Sequence, residues 1–185
     1  SQVSAKDKDR VRMYSLNPSN GKIKQLQAKE DVISDYSIAN QAFEMVYFGL
    51  SASNSQRLYT YNLKNDASSC LIDLSKEILK DVTLGEVQDW NFVSAQGDTI
   101  YGRFYLPPHF DATKKYPMIV NYYGGTTPTA RVMESRYPSH IYAGLGYIVY
   151  IIQPSGATGF GQEFSARHVN AWGKLTADEI IEGTK

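Results

Sequence analysis

The chain has 185 residues, 42% of them apolar, with 19 basic and 19 acidic side chains. That length allows one domain or two small ones, and that apolar fraction argues against disorder. The even charge balance gives no electrostatic reason to expect nucleic acid or an anionic membrane as a partner.

Residues 11–16 (Val-Arg-Met-Tyr-Ser-Leu) alternate in polarity and read as a strand. Asn17-Pro18-Ser19-Asn20-Gly21 is a turn, and residues 22–27 return as the hairpin partner. Residues 33–39, 43–50, 58–63 and 69–73 are further strand candidates, separated by short polar turns. Cys70 lies in the last of these. It is the only cysteine, so it can form no internal disulfide and reads as a small hydrophobe. Met13-Tyr14-Ser15-Leu16 and Thr60-Tyr61-Asn62-Leu63 resemble one another at a spacing of about 47 residues, the period of a β-propeller blade. Residues 33–73 would be one blade, and those before it the outer strands of the preceding one. A plain antiparallel meander explains the same pattern. Residues 75–84 are a helical turn or a connector, and the domain boundary is placed after residue 86.

From Gln88 the pattern changes. Residues 90–94 and 100–106 read as two antiparallel strands around the turn Gln96-Gly97-Asp98, ended by Pro107-Pro108. Residues 116–123 (Tyr-Pro-Met-Ile-Val-Asn-Tyr-Tyr) read as a buried central strand that stops at Tyr123, before Gly124-Gly125. The glycines permit a turn and a close backbone approach. Ligands of open α/β sheets bind beyond the carboxyl ends of the strands. Tyr123 is therefore either a phenolic donor placed to stabilise an oxyanion or a core tyrosine before an ordinary turn. Residues 139–145 form a short helix, with Ser139 as its cap and Gly146 as its stop. Residues 147–153 are a second continuous apolar strand, expected to lie parallel to the Tyr123 strand. At 147–152 it carries the longest apolar run, far short of the ~20 residues that span a bilayer.

Gly156-Ala157-Thr158-Gly159-Phe160-Gly161 resembles a dinucleotide fingerprint. The last glycine comes one residue early, and residues 162–172 show no clear helical stripe where the fingerprint needs a helix. A glycine loop at the sheet's carboxyl edge is the competing reading. Thr176 and Glu179 form a capping box, and the chain ends inside the helix that follows. The three histidines, His109, His140 and His168, stand at no metal-ligand spacing, so no metal is expected. No Gly-x-Ser-x-Gly occurs, so the chain holds no nucleophile elbow.

With these residues in view, the chain resembles the prolyl oligopeptidase family of serine peptidases, on its dipeptidyl peptidase IV-like side. The resemblance rests on Leu106-Pro107-Pro108-His109-Phe110-Asp111, Lys114-Lys115-Tyr116-Pro117 and Tyr123-Gly124-Gly125. It extends to Gly156, Gly159, Gly161, Glu163, Phe164 and Trp172-Gly173. Three positions depart from the family pattern. Thr126 stands where proline is usual, and Gln153 and Ser155 stand where the glycine loop opens with an acid and an arginine.

The resemblance implies a mixed fold: residues 1–86 the C-terminal blades of a partial β-propeller, and residues 87–185 the N-terminal part of an α/β-hydrolase sheet. It implies Tyr123 as the side-chain half of an oxyanion hole. It places the serine, aspartate and histidine of the triad downstream, so that this piece alone is inactive. It implies a peptide substrate, no cofactor, and self-association through exposed strand edges, and it favours a periplasmic or secreted setting. The rival readings are a non-catalytic β-rich binding module and an NAD(P)-dependent reductase built on the Gly156 loop.

Overall fold

The computed structural model describes residues 2–171 and 173–185. They fall into two compact units, one running up to Val82 and including Arg131–Glu134, the other Thr83–Ala130 with Ser135–Lys185.

The first unit is a sheet of seven strands: β1 (Gln2–Asp7), β2 (Arg10–Leu16), β3 (Ile23–Gln25), β4 (Val32–Ile38), β5 (Glu44–Ser51), β6 (Asn54–Asn62) and β7 (Ala67–Asp73). Strand β1 was not expected from its polar sequence; it forms by pairing along its whole length with β2, from Gln2↔Ser15 to Asp7↔Arg10. Strands β4 to β7 make an antiparallel meander. It joins β2 through a single parallel pair, Val11↔Val32.

Strand alternation turns Met45 and Tyr47 of β5, and Tyr59 and Tyr61 of β6, to one buried face with Met13, Leu26 and Ile33. Three buried phenols then need polar partners. They find them in the irregular segment 27–30. Tyr61 Oη accepts the Gln27 N–H (3.1 Å) and Tyr47 Oη accepts the Lys29 N–H (2.8 Å). Tyr59 Oη donates to the Glu30 carboxylate (2.5 Å). Arg57 bridges that carboxylate and Asp73, at 2.9 and 2.8 Å. Arg131 is ion-paired to Asp9 at 2.8 Å, both side chains buried.

The second unit holds a four-stranded sheet in the order β10-β11-β9-β8. Strands β8 (Val87–Val93) and β9 (Thr99–Tyr105) are the expected antiparallel pair, turned by Gly97 at φ +85°. Strands β10 (Met118–Asn121) and β11 (Ile148–Gln153) are parallel, in register Met118↔Ile148 to Asn121↔Ile151. Helix α1 (Ser139–Gly144) lies between them in sequence.

Strand β11, paired on both sides, is buried from Val149 to Gln153. The 116–123 strand differs from expectation. It is shorter, and it sits at the sheet edge with Met118 41% exposed, because β11 is its sole strand partner among the described residues. Gly102 on β9 lets β11 approach: a Cβ there would stand 2.7 Å from both Ile151 O and the Tyr150 ring.

Helices α2 (Gln162–Ala166) and α3 (Lys174–Gly183) follow. The capping box is not formed. Helix α3 starts two residues before Thr176, with Gly173 at its N-cap, so Thr176 lies inside the first turn. It stops at Gly183, with Thr184 at its C-cap, rather than running to the last residue. Ser139 likewise makes no cap, since Pro138 holds that position.

Candidate functional site

Tyr122 and Tyr123 follow the carboxyl end of β10, and the glycine loop follows the carboxyl end of β11. The two strands are parallel, so both segments emerge at the same edge of the sheet. Tyr123 packs its ring on the core formed by Ile100, Tyr150, Ile152, Ala157 and Phe164. Its hydroxyl donates to the Pro154 carbonyl at 3.0 Å. Burial pushes the phenol well above its ordinary value, and the charge of Glu179 pushes it the same way, so Tyr123 is a donor throughout the neutral range.

Tyr122 is 52% exposed. Both tyrosines, with Gly124 and Gly125, line a mostly apolar cavity of about 470 Å³ together with Thr176, Ala177, Ile180 and Ile181 of α3. His168 also faces it. A Cβ on Gly124 or Gly125 would meet nothing within 4 Å, and neither residue has a positive φ. The close backbone approach expected of these glycines is therefore not made; their open side is the cavity.

The loop 126–130 is tied down from three places. Gln153, fully buried, accepts the Thr129 N–H through Oε1 (3.0 Å) and donates to Thr129 O through Nε2 (2.8 Å). Arg103 donates to Thr129 O and to Ala130 O, the latter at 2.7 Å. Thr158 N–H donates to Thr126 O at 2.8 Å. Gln153, one of the departures from the family pattern, thus makes a two-way amide contact that an ionised carboxylate, an acceptor only, could not make.

Gly156 is at φ +99°, and a Cβ there would stand 2.9 Å from His168 Cβ and Nδ1. Its N–H is spent on Phe164 O at 2.9 Å. The helix that follows, α2, has five residues. Nothing in this geometry favours a dinucleotide, which needs free loop N–H groups at the mouth of a longer helix. Trp172, of the expected Trp-Gly pair, lies outside the described residues.

Glu179 is 1% exposed and accepts the Ser155 N–H at 2.7 Å. Burial raises its pKa, and the Ser155 hydrogen bond works against that rise. Read from sequence as a capping residue, it is instead a buried contact of the glycine loop. A signal was available. Its neighbours one turn away, Leu175 and Gly183, are apolar or small, so it lies on the core face of α3 with no basic partner at that spacing. Gln153 and Arg103 were also missed as anchors. Both sit on strands, where sequence shows the face but not the partner.

No family model matches the chain. It is 29% identical over 154 residues to dipeptidyl-peptidase 5 of Porphyromonas gingivalis, an alignment covering 83% of this chain and 22% of that protein. It is 32% identical over 111 residues to dipeptidyl peptidase 8 of Homo sapiens, covering 57% of this chain and 12% of that one. The chain is similar in sequence to these dipeptidyl peptidases. Its fold matches acylaminoacyl peptidase of Pyrococcus horikoshii with a TM-score of 0.81 at 19% identity, over 99% of this chain and 28% of that one. The chain spans between about an eighth and just over a quarter of the length of these proteins. The fold is mixed and sheet-rich, like those neighbours.

Proposed function

We propose that this chain is a segment of a serine peptidase that hydrolyses short peptides by acyl transfer. In this reading residues 1–86 are the closing blades of a β-propeller, and residues 87–185 open the α/β-hydrolase domain. The meander β4 to β7 supports the first assignment, since a blade is four antiparallel strands. The β8–β9 hairpin leading into the parallel pair β10 and β11 supports the second.

The observation that carries the reading is Tyr123. A protonated phenol stands beyond the carboxyl end of a parallel strand, beside an open cavity. Acyl transfer creates a negative oxygen that the ground-state carbonyl lacks, and a donor already in place stabilises it. The nucleophilic serine and its base belong to the rest of the peptidase. The substrate is a peptide, and the reading needs no cofactor.

The test uses the full-length enzyme that carries this segment. It should hydrolyse a chromogenic dipeptidyl amide and be inactivated by a fluorophosphonate that labels a serine outside residues 1–185. Labelling of a serine inside this segment overturns the reading.

A further inference from the structure

We propose that the Pro154 carbonyl is a resting acceptor for Tyr123, one that keeps the phenolic proton from a neutral substrate carbonyl and yields it to an oxyanion. The proposal rests on the oxyanion reading of Tyr123 given above. It makes Pro154 a positioning residue that acts through the phenol.

Tyr123 has one hydroxyl proton, and it is donated to Pro154 O at 3.0 Å. The ring is not free to follow a new acceptor, because it packs on Ile100, Tyr150, Ile152, Ala157 and Phe164. The proton is free to do so, since an O–H turns about its C–O bond while the heavy atoms stay. The carbonyl is as fixed as the ring. Pro154 is buried, and its own ring sets its φ. On one side Gln153 is paired with Tyr101 in the β11–β9 ladder. On the other, the Gly156 N–H is held by Phe164 O at 2.9 Å. Tyr123 also lines the cavity beside Gly124 and Gly125, so a second acceptor arriving there competes with Pro154 O for the same proton.

The acceptors presented during acyl transfer differ in charge. The ground-state carbonyl is neutral, like Pro154 O. Exchanging one for the other gains nothing and leaves a buried carbonyl without its donor. The tetrahedral oxygen is negative, and a hydrogen bond to an ionised acceptor is roughly twice as strong as a neutral one. The exchange therefore becomes favourable only as charge develops. A donor held this way adds to transition-state binding and not to substrate binding, which is the condition for raising kcat. A phenol with no resting acceptor would strengthen both.

The test uses the full-length peptidase with proline labelled with ¹³C at its carbonyl, the Pro154 resonance being assigned by its absence from Pro154→Ala. Two dipeptidyl probes are compared. One is a tertiary amide, whose carbonyl stays neutral; the other is a trifluoromethyl ketone, whose adduct with the catalytic serine is an ionised hemiketal. The resonance should keep its free position with the amide. With the ketone it should move upfield, to where the free Tyr123→Phe enzyme shows it, because losing a hydrogen bond shields a carbonyl carbon. Tyr123→Phe should weaken the ketone by roughly 10²–10³ and leave the amide within about twofold. A shift with both probes, a shift with neither, or an equal loss of affinity for both overturns the resting-acceptor role. So does a Pro154 resonance that is the same in the free parent and in free Tyr123→Phe. Each of these, with turnover of Tyr123→Phe still lowered, leaves the oxyanion reading intact. A Tyr123→Phe enzyme that turns over like the parent and holds the ketone as tightly overturns the oxyanion reading itself.

Discussion

Tyr47 and Tyr59 face each other across strands β5 and β6 with ring centroids 5.1 Å apart and planes 8° from parallel. The stack is the floor on which segment 27–30 lies. Tyr47 holds the backbone of Lys29, and Tyr59 holds the carboxylate of Glu30. Glu30 itself is at φ +74°, a left-handed conformation that costs a non-glycine residue about 1–2 kcal/mol. Tyr59→Phe should keep the stack and lose the hydrogen bond, lowering stability by about 1–2 kcal/mol. Tyr59→Ala should lose the stack as well and cost about 3–5 kcal/mol. Urea melts of the two variants check the order; equal losses would mean that the phenol, not the ring, supports the segment.

The oxyanion role of Tyr123 predicts a loss confined to turnover. In the full-length enzyme Tyr123→Phe should lower kcat by roughly 10²–10³ with little change in KM. The ring still packs on Tyr150 and Ile152, so the fold should survive. Tyr147→Phe, at the opposite end of β11, is the control and should retain activity. Steady-state kinetics on both variants decide it, and equal activity counts against the assignment.

How much of this was legible beforehand varies with the kind of contact. The strands β2, β5, β6, β9 and β11 announce themselves by alternation or by apolar runs, because one strand period maps each residue to a face. Strand β1 is polar and exists by pairing with β2, which no local pattern encodes. The position of Tyr123 beyond a parallel strand was readable from Met118-Ile119-Val120 and the glycines after it. Its actual partner, the Pro154 carbonyl 31 residues away, was not, since backbone acceptors carry no sequence signature. Glu179 was misread because Thr176 and Glu179 satisfy the spacing of a cap, whereas the helix begins at Lys174.

Glu179 gives stability a pH dependence of defined sign. Burial raises its pKa in the folded chain, so between the ordinary carboxylate value and that raised value the folded state binds more protons than the unfolded state. Stability then falls as pH rises through that window. Glu179→Gln cannot titrate. Its advantage over the parent should be constant below the window and grow across it, as read from urea melts at a series of pH values. A gap that does not change with pH argues against a raised carboxyl.

The two kinds of glycine should respond differently to alanine. Gly156→Ala places a Cβ 2.9 Å from His168 at φ +99°, and should lower stability by more than about 1 kcal/mol. Adding His168→Ala removes the contact with Nδ1 but leaves the contact with Cβ and the backbone strain, so recovery should be partial. Gly124→Ala meets nothing and should be close to neutral in a thermal melt.

Exposed edges predict association. Strand β10 has its outer side unpaired among the described strands, and β7 at the end of the other sheet carries Leu71 at 56% and Ile72 at 50% exposure. Unpaired apolar edges recruit further strands. The isolated chain should show a scattering mass that rises with concentration; a constant monomer mass would contradict this.

The aromatic residues also divide the molecule spectroscopically. Both tryptophans, Trp90 and Trp172, fall after residue 82, and the stacked Tyr47–Tyr59 pair falls before it. Trp90 lies against Phe92, Phe104 and Tyr150. Emission excited at the red edge, where tyrosine does not absorb, therefore reports the second unit alone. The paired phenol rings, Tyr47 with Tyr59 and with Tyr61, lie in the first and contribute to the near-ultraviolet circular dichroism. Recording both signals through one denaturation shows whether the halves melt as one cooperative block or as two, without any label or substitution.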